Sequence, residues 1–203
     1  MRFTIKATLF LLLAIAADST RSAAAQGSTS TPPREEPLRA ELAIDYSYVR
    51  SNAPPASCTC FNLNGGSGTF AWPVKQGGFA AVADLTIDHA SAIGGSGLSL
   101  SLTTLTGGTR YVPRIGHSSL QPFAQVTVGL AHASGKLVGP GTPGAINAGG
   151  AFAANMGGSL DVRANRRFSV RLAEVDYLLT TVHNNTNNHQ NDLRISAGVV
   201  VRF

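Results

Sequence analysis

The sequence predicts an all-β protein: an eight-stranded antiparallel up-and-down transmembrane β-barrel. Three observations carry this expectation. Apolar and polar residues alternate with a period of two in successive segments, the pattern of a sheet with two unlike faces. Clusters of Gly, Asn and Pro punctuate those segments at short spacing. The composition suits a sheet that shows lipid on one side. Charged residues make up 13% of the chain and 22 residues are Gly, against about 25% charged and about 7% Gly in ordinary soluble domains. Past residue 25 no run of 18 apolar residues occurs, which argues against membrane-spanning helices.

Residues 1–25 read as an export signal. Arg2 and Lys6 supply a basic start, and Ala7–Ala17 is an apolar run too short to cross a bilayer as a helix. Ala23, Ala24 and Ala25 offer a small-residue cleavage site before Gln26, and a cut after Ala16 is an alternative. An uncleaved N-terminal anchor is the competing reading. No Cys stands near either site, so a lipid anchor is not indicated. Residues 26–38, rich in Ser, Thr, Pro and charge, read as a flexible periplasmic linker. Residues 39–203 form the barrel domain.

Eight strands are expected near 40–49, 66–75, 78–88, 97–110, 119–132, 151–163, 167–182 and 192–203. The first sets Leu42, Ile44, Tyr46 and Tyr48 opposite Ala43, Asp45 and Ser47. The third sets Phe79, Ala81, Ala83, Leu85 and Ile87 opposite Val82, Asp84, Thr86 and Asp88. The sixth sets Phe152, Ala154, Met156, Gly158, Leu160 and Val162 opposite Asn155, Ser159, Asp161 and Arg163. The last sets Leu193, Ile195, Ala197, Val199, Val201 and Phe203 opposite Arg194, Ser196, Gly198, Val200 and Arg202. Two strands break parity. In the seventh, Phe168, Val170 and Leu172 share one register and Val175, Tyr177 and Leu179 the other, so a β-bulge is expected near Ala173. In the fourth, Leu98, Leu100 and Leu102 give way to Leu105, and a second bulge is expected near Gly107 and Gly108. Short connections (75–77, 111–118, 164–166) alternate with long ones (50–65, 89–96, 133–150, 183–191), as in barrels with short periplasmic turns and longer outer loops.

From Glu41 to Phe203 the chain resembles the outer-membrane β-barrel domain proteins, the small eight-stranded OmpA/OmpX-like group. The resemblance rests on AELAIDYSYVR, the stretch from Cys58 to Gly68, LQPFAQVTVGLAHASG, GGSLDVRANRR, VRLAEVDYLLT and the ending NDLRISAGVVVRF. It implies residence in the outer membrane of a Gram-negative cell, with outer-membrane lipid as surroundings. It also implies that Phe203, Val201 and Val199 form the signal read by the outer-membrane assembly machinery. It does not imply one activity, because such barrels host structural, adhesive and enzymatic roles.

The interior positions carry Asp45, Asp84, Asp88, Asp161, Glu174 and Asp176 against Arg163, Arg171, Arg194 and Arg202, with Arg110 a further candidate. An eight-stranded barrel is just wide enough for side chains to fill, and buried charges must pair. These residues are therefore expected to form an ion-pair network that plugs the lumen; a proton or ion path, or a catalytic carboxylate pair, are the alternatives. Cys58 and Cys60 are a candidate disulfide, since exported chains meet an oxidising compartment, although a Cys-x-Cys bridge is strained and free thiols remain open. Two thiolates alone make a poor zinc site. His89 and Ser91, and likewise His132 and Ser134, set a base two residues from a hydroxyl, the spacing also found in outer-membrane lipid A deacylases. The triplet is cheap and no third acid has an obvious seat. His183 and His189 lie in an Asn-rich loop and read as solvated surface.

The formal net charge is +5; without Arg2, Lys6, Arg21 and Asp18 it is 13 basic against 10 acidic residues. No Lys/Arg run or basic stripe with interleaved aromatics occurs, so nucleic acid is not an expected partner. No catalytic residue, cofactor or metal is expected. The role expected is structural or surface-interacting, through the outer loops and an extracellular partner that the sequence does not name. A narrow channel and a lipid-modifying enzyme are the alternatives.

Overall fold

A computed structural model gives the fold, and it describes residues 39–51, 60–74, 77–93, 98–113, 118–136, 148–182 and 189–203. The proposed export signal, the linker, Cys58 and His183 lie outside these residues. Eight strands run β1 (Glu41–Ser51), β2 (Phe61–Pro73), β3 (Phe79–Ile93), β4 (Leu98–Tyr111), β5 (Leu120–Lys136), β6 (Ala148–Arg163), β7 (Phe168–Thr180) and β8 (Gln190–Arg202). Each pairs antiparallel with its sequence neighbours, and β8 pairs with β1, closing the barrel. The start of β1 and the end of β8 share one rim with the connections 74–78, 112–119 and 164–167, here the turn end. The opposite rim is the loop end.

Alternation at period two produces the two faces. Ile44, Leu85, Ile87, Leu105, Val126, Val128, Leu130, Met156, Leu193, Ile195 and Val199 stand exposed on the exterior. Asp45, Asp84, Thr86, Thr127, Asp161, Arg171 and Arg194 are buried inside. Aromatic side chains gather at both limits of this apolar exterior. Near the turn end, Phe70 packs by Trp72 and Phe79 by Tyr111, with ring centroids 6.1 and 4.9 Å apart. Toward the loop end, the Tyr46 hydroxyl donates to Asn64 Oδ1 at 2.6 Å, and Tyr177 bonds Asn191. From Phe79 to His89 along β3 is ten residues, about 25 Å of height at about 3.3 Å per residue and a tilt of about 40°.

Above that level the polarity inverts. Arg50, Asn62, Asn64, His89 and His132 face outward. Val49, Phe61, Leu63, Ala90, Leu102, Ala131, Ala133, Ala153, Leu178 and Val182 turn inward and form one buried apolar cluster, with Leu100 and Ala151 packed against it. The last turns of the barrel are thus built like a water-soluble domain, apolar within and polar without.

This inversion accounts for most departures from the sequence expectation. β2 begins at Phe61 rather than near residue 66, because Phe61 and Leu63 pack inward and Asn62 and Asn64 point outward. β4 keeps an unbroken register with both neighbours from Leu100 to Tyr111, so the bulge expected near Gly107 and Gly108 is absent. Leu100 and Leu102 face inward and Leu105 outward on a regular strand. β3 reaches Ile93, leaving only 94–97 as its loop, shorter than the turn-end connection 112–119, so the lengths do not strictly alternate. Unforeseen register shifts lie between Ala90 and Ile93 and between Ala131 and Ala133.

The β7 irregularity falls where parity placed it. The register shifts between Arg171 and Glu174, and Leu172 and Ala173 both lie on the exterior. The bulge keeps Val170 and Val175 outward while Arg171 and Glu174 both point in. Deleting Ala173 would restore strict alternation and turn one half of β7 the wrong way. The expected outcome is loss of the compact, heat-modifiable band of the folded barrel on gel electrophoresis, whereas substituting Ala173 by Ser leaves that band intact.

Candidate functional site

The interior is filled by an ion-pair network organised around four arginines. At the turn end, Arg202 Nε lies 2.7 Å from Glu41 Oε1, and its other nitrogens donate to Ser169 and Gln121. Glu41 also meets Arg110 Nη1 at 3.4 Å, while the Arg110 guanidinium lies 3.8 Å from the Phe123 ring centroid and donates to Gln125 Oε1. Gln125 in turn donates to Glu174 Oε1.

Above this layer, Arg171 holds three carboxylates. Its Nη1 lies 2.7 Å from Glu174 Oε2 and 2.9 Å from Asp45 Oδ2, and its Nε 3.0 Å from Asp161 Oδ1. Arg171 and Glu174 are three apart on one strand and would face opposite sides of a regular one; the bulge at Leu172 and Ala173 makes them partners. Higher still, Arg194 of β8 reaches across the bore to Asp84 of β3 at 3.1 Å and holds Asp176 of β7 at 2.9 Å. Thr69 and Thr86 donate to the same Asp84 carboxylate at 2.8 and 3.0 Å.

The wall makes room for these acids. A Cβ on Gly198 would stand 2.4 Å from Asp45 Oδ1, and one on Gly157 would stand 2.0 Å from Asp176 Oδ1. Each carboxylate lies flat over the glycine of the adjacent strand, which leaves the centre of the bore to the guanidinium groups.

Of the residues singled out from sequence, Asp45, Asp84, Asp161, Arg171, Glu174, Asp176, Arg194 and Arg202 meet in this network. Arg163 ends β6 half-buried, and no role for it is described by these pairs. Arg110 joins, and Asp88 is buried on the interior wall. Sequence reasoning missed Glu41, Gln121 and Gln125. Glu41 stands first on its strand, where alternation has barely begun, and neutral Gln carries no signal of ion pairing. All eight Asp and Glu among the described residues, these and Asp192 included, are buried inside or paired with an interior arginine.

The other candidates stay apart from this site. Cys60 is exposed just before β2, and the bridge to Cys58 falls outside the described residues. Ser91, His89 and His132 face the exterior. His89 Nδ1 lies 2.9 Å from the hydroxyl of Ser101, on the neighbouring strand, rather than pairing with Ser91. Among the described residues no group of three His, Cys, Asp or Glu could hold a metal ion. Val199 on the exterior of β8 and Phe203 just past its end are exposed, with Val201 half-buried between them.

No protein-family model matches the chain, and no curated protein matches it in sequence. Solved structures do match in fold. Neisserial surface protein A aligns with a TM-score of 0.59 at 12% identity, covering 81% of this chain and 97% of that one. Ail, the attachment invasion locus protein of Yersinia pestis, aligns at 0.54 and 12%, covering 82% of this chain and all of that one (100%). The chain therefore has the fold of the small eight-stranded outer-membrane β-barrels.

Arg171→Ala leaves Asp45, Asp161 and Glu174 without their shared cation. Breaking a buried pair typically costs about 3–5 kcal/mol, so the urea midpoint of the folded barrel should fall accordingly. Arg50→Ala, on the exterior, should leave it within about 0.5 kcal/mol of the parent.

Proposed function

We propose that the protein is an exported integral protein of a Gram-negative outer membrane that acts structurally or by surface interaction through its loop end. The inversion of polarity along the strands carries the reading. An apolar exterior bounded by aromatic side chains and about 25 Å tall fits the hydrocarbon layer. The soluble-like turns above it fit a barrel that stands clear of the membrane on the side where its loops lie. The two compared structures are named for the cell surface and for attachment, which supports extending such a role to this chain. The export signal at 1–25 and recognition of Phe203, Val201 and Val199 by the assembly machinery belong to the same proposal.

The interior weighs against a channel. Its arginines bridge the bore at three levels, and the apolar cluster closes the loop end above them. In planar bilayers the refolded protein should give no conductance steps; reproducible steps would favour the channel. A tag inserted at 141–144 should be labelled on intact cells and one at 164–165 only after permeabilisation. Deleting 139–146 should leave the barrel folded and reduce whatever adhesion the parent confers on cells that express it, and equal adhesion by the two would remove the loop assignment.

A lipid-modifying activity has one observation in its favour, the His89 and Ser101 pair facing outward near the outer leaflet. Every described Asp and Glu side chain is buried inside or paired with an interior arginine, so none stands ready to orient His89. Unaltered lipid A acylation on overexpression would remove this reading.

The membrane assignment also has a direct test in stability. On the exterior of β3, Leu85→Arg places a guanidinium near the middle of the apolar band and should cost about 2–4 kcal/mol in urea unfolding from vesicles, against about 0–1 for Ser91→Arg above it. Equal costs would contradict the placement.

A further inference from the structure

We infer that a basic strip at the turn end, formed by Arg39, Arg166 and Arg167, binds the phosphate headgroup of an anionic phospholipid in the periplasmic leaflet. The inference rests on the proposal that the barrel spans the outer membrane with this end facing the periplasm.

Charge segregation is the first argument. Every described Asp and Glu is buried inside or paired there, while Arg39, Arg166 and Arg167 are exposed.

Geometry is the second. The three arginines come from different parts of the chain, yet backbone hydrogen bonds stitch them into one edge. Arg202 N donates to Arg167 O at 2.7 Å, and Phe203 N donates to Ala40 O at 3.0 Å, so the strip runs across the ends of β7, β8 and β1. The turn bearing Arg166 and Arg167 is held in shape, because Asn165 Oδ1 accepts from both Arg167 N and Phe168 N at 2.8 Å. Ordering the turn in advance lowers the entropy lost on binding.

Position is the third. Phe168, Phe203 and Leu42 lie exposed beside the strip on the apolar exterior. A ligand resting there meets guanidinium groups at one end and apolar side chains at the other. A phospholipid has that polarity: its phosphate accepts paired hydrogen bonds from guanidinium, and its acyl chains cover the aromatic rings. A soluble anion would use only the first half of the surface.

The test uses the full chain folded into phosphatidylcholine vesicles, with Trp72 as reporter. It is the one tryptophan in the sequence and stands exposed on β2, beside β1. Lipids with brominated acyl chains quench it on contact. At low ionic strength, brominated phosphatidylglycerol should compete for the barrel surface better than brominated phosphatidylcholine, by up to roughly five-fold per arginine. The variant R39Q/R166Q/R167Q should fold to the same heat-modifiable band and lose the preference, and R39K/R166K/R167K should keep part of it. Equal quenching by the two lipids in the parent, or an undiminished preference in the glutamine variant, overturns the inference. So does loss of the preference to inorganic phosphate beyond that caused by chloride of matched ionic strength, which would mark a site for the free anion. If neither lipid quenches Trp72, the membrane-spanning reading falls and takes this inference with it.

Discussion

The structure turns on the pairing of charge inside a cylinder too narrow to hold bulk water. Eight strands enclose a space that side chains alone can fill, and an unpaired ion in such surroundings costs several kcal/mol. Arg171 shows how the pairing is met. One guanidinium takes carboxylates from β1, β6 and β7 at 2.7 to 3.0 Å, so strands that are not all neighbours are tied through the centre. Arg194 does the same between β8, β7 and β3. The network fixes which walls face each other, and backbone pairing around the rim fixes the order.

Local features follow from that demand. The bulge in β7 is an irregularity in the ladder, but it delivers Arg171 and Glu174 to the same side. Gly157 and Gly198 add no side chain to the wall, and the absence lets Asp176 and Asp45 lie flat against it. The β7 bulge and the two wall glycines thus each have a partner in the bore.

The filled interior leaves the outer surfaces as the parts that can meet other molecules. What remains is an apolar girdle that suits lipid, a rim of arginine at the turn end, and a loop end whose strands change character before they stop. That change, from Ile87 to His89 and from Leu130 to His132 on the exterior, matches a passage from hydrocarbon to water within one turn of the barrel.

Alternation together with the Gly, Asn and Pro punctuation determined the strand number and the up-and-down order, and the period of two set the faces of β1, β3, β6 and β8 by forcing every second side chain to one side. It also located the β7 bulge, since only an extra residue reconciles Val170 with Val175 on one face. What it left open was which side is inside near the loop end. There Phe61, Leu63, Leu100 and Leu102 are apolar and interior, while lower down the apolar residues are exterior. A pattern of alternation looks the same in both cases. Deciding between them needs the height of each residue relative to the apolar girdle, and height exists only once the barrel has closed. The ion pairs that cross the bore were beyond the sequence for a similar reason: Arg194 and Asp84 are 110 residues apart and meet at a distance set by closure and stagger rather than by any local spacing.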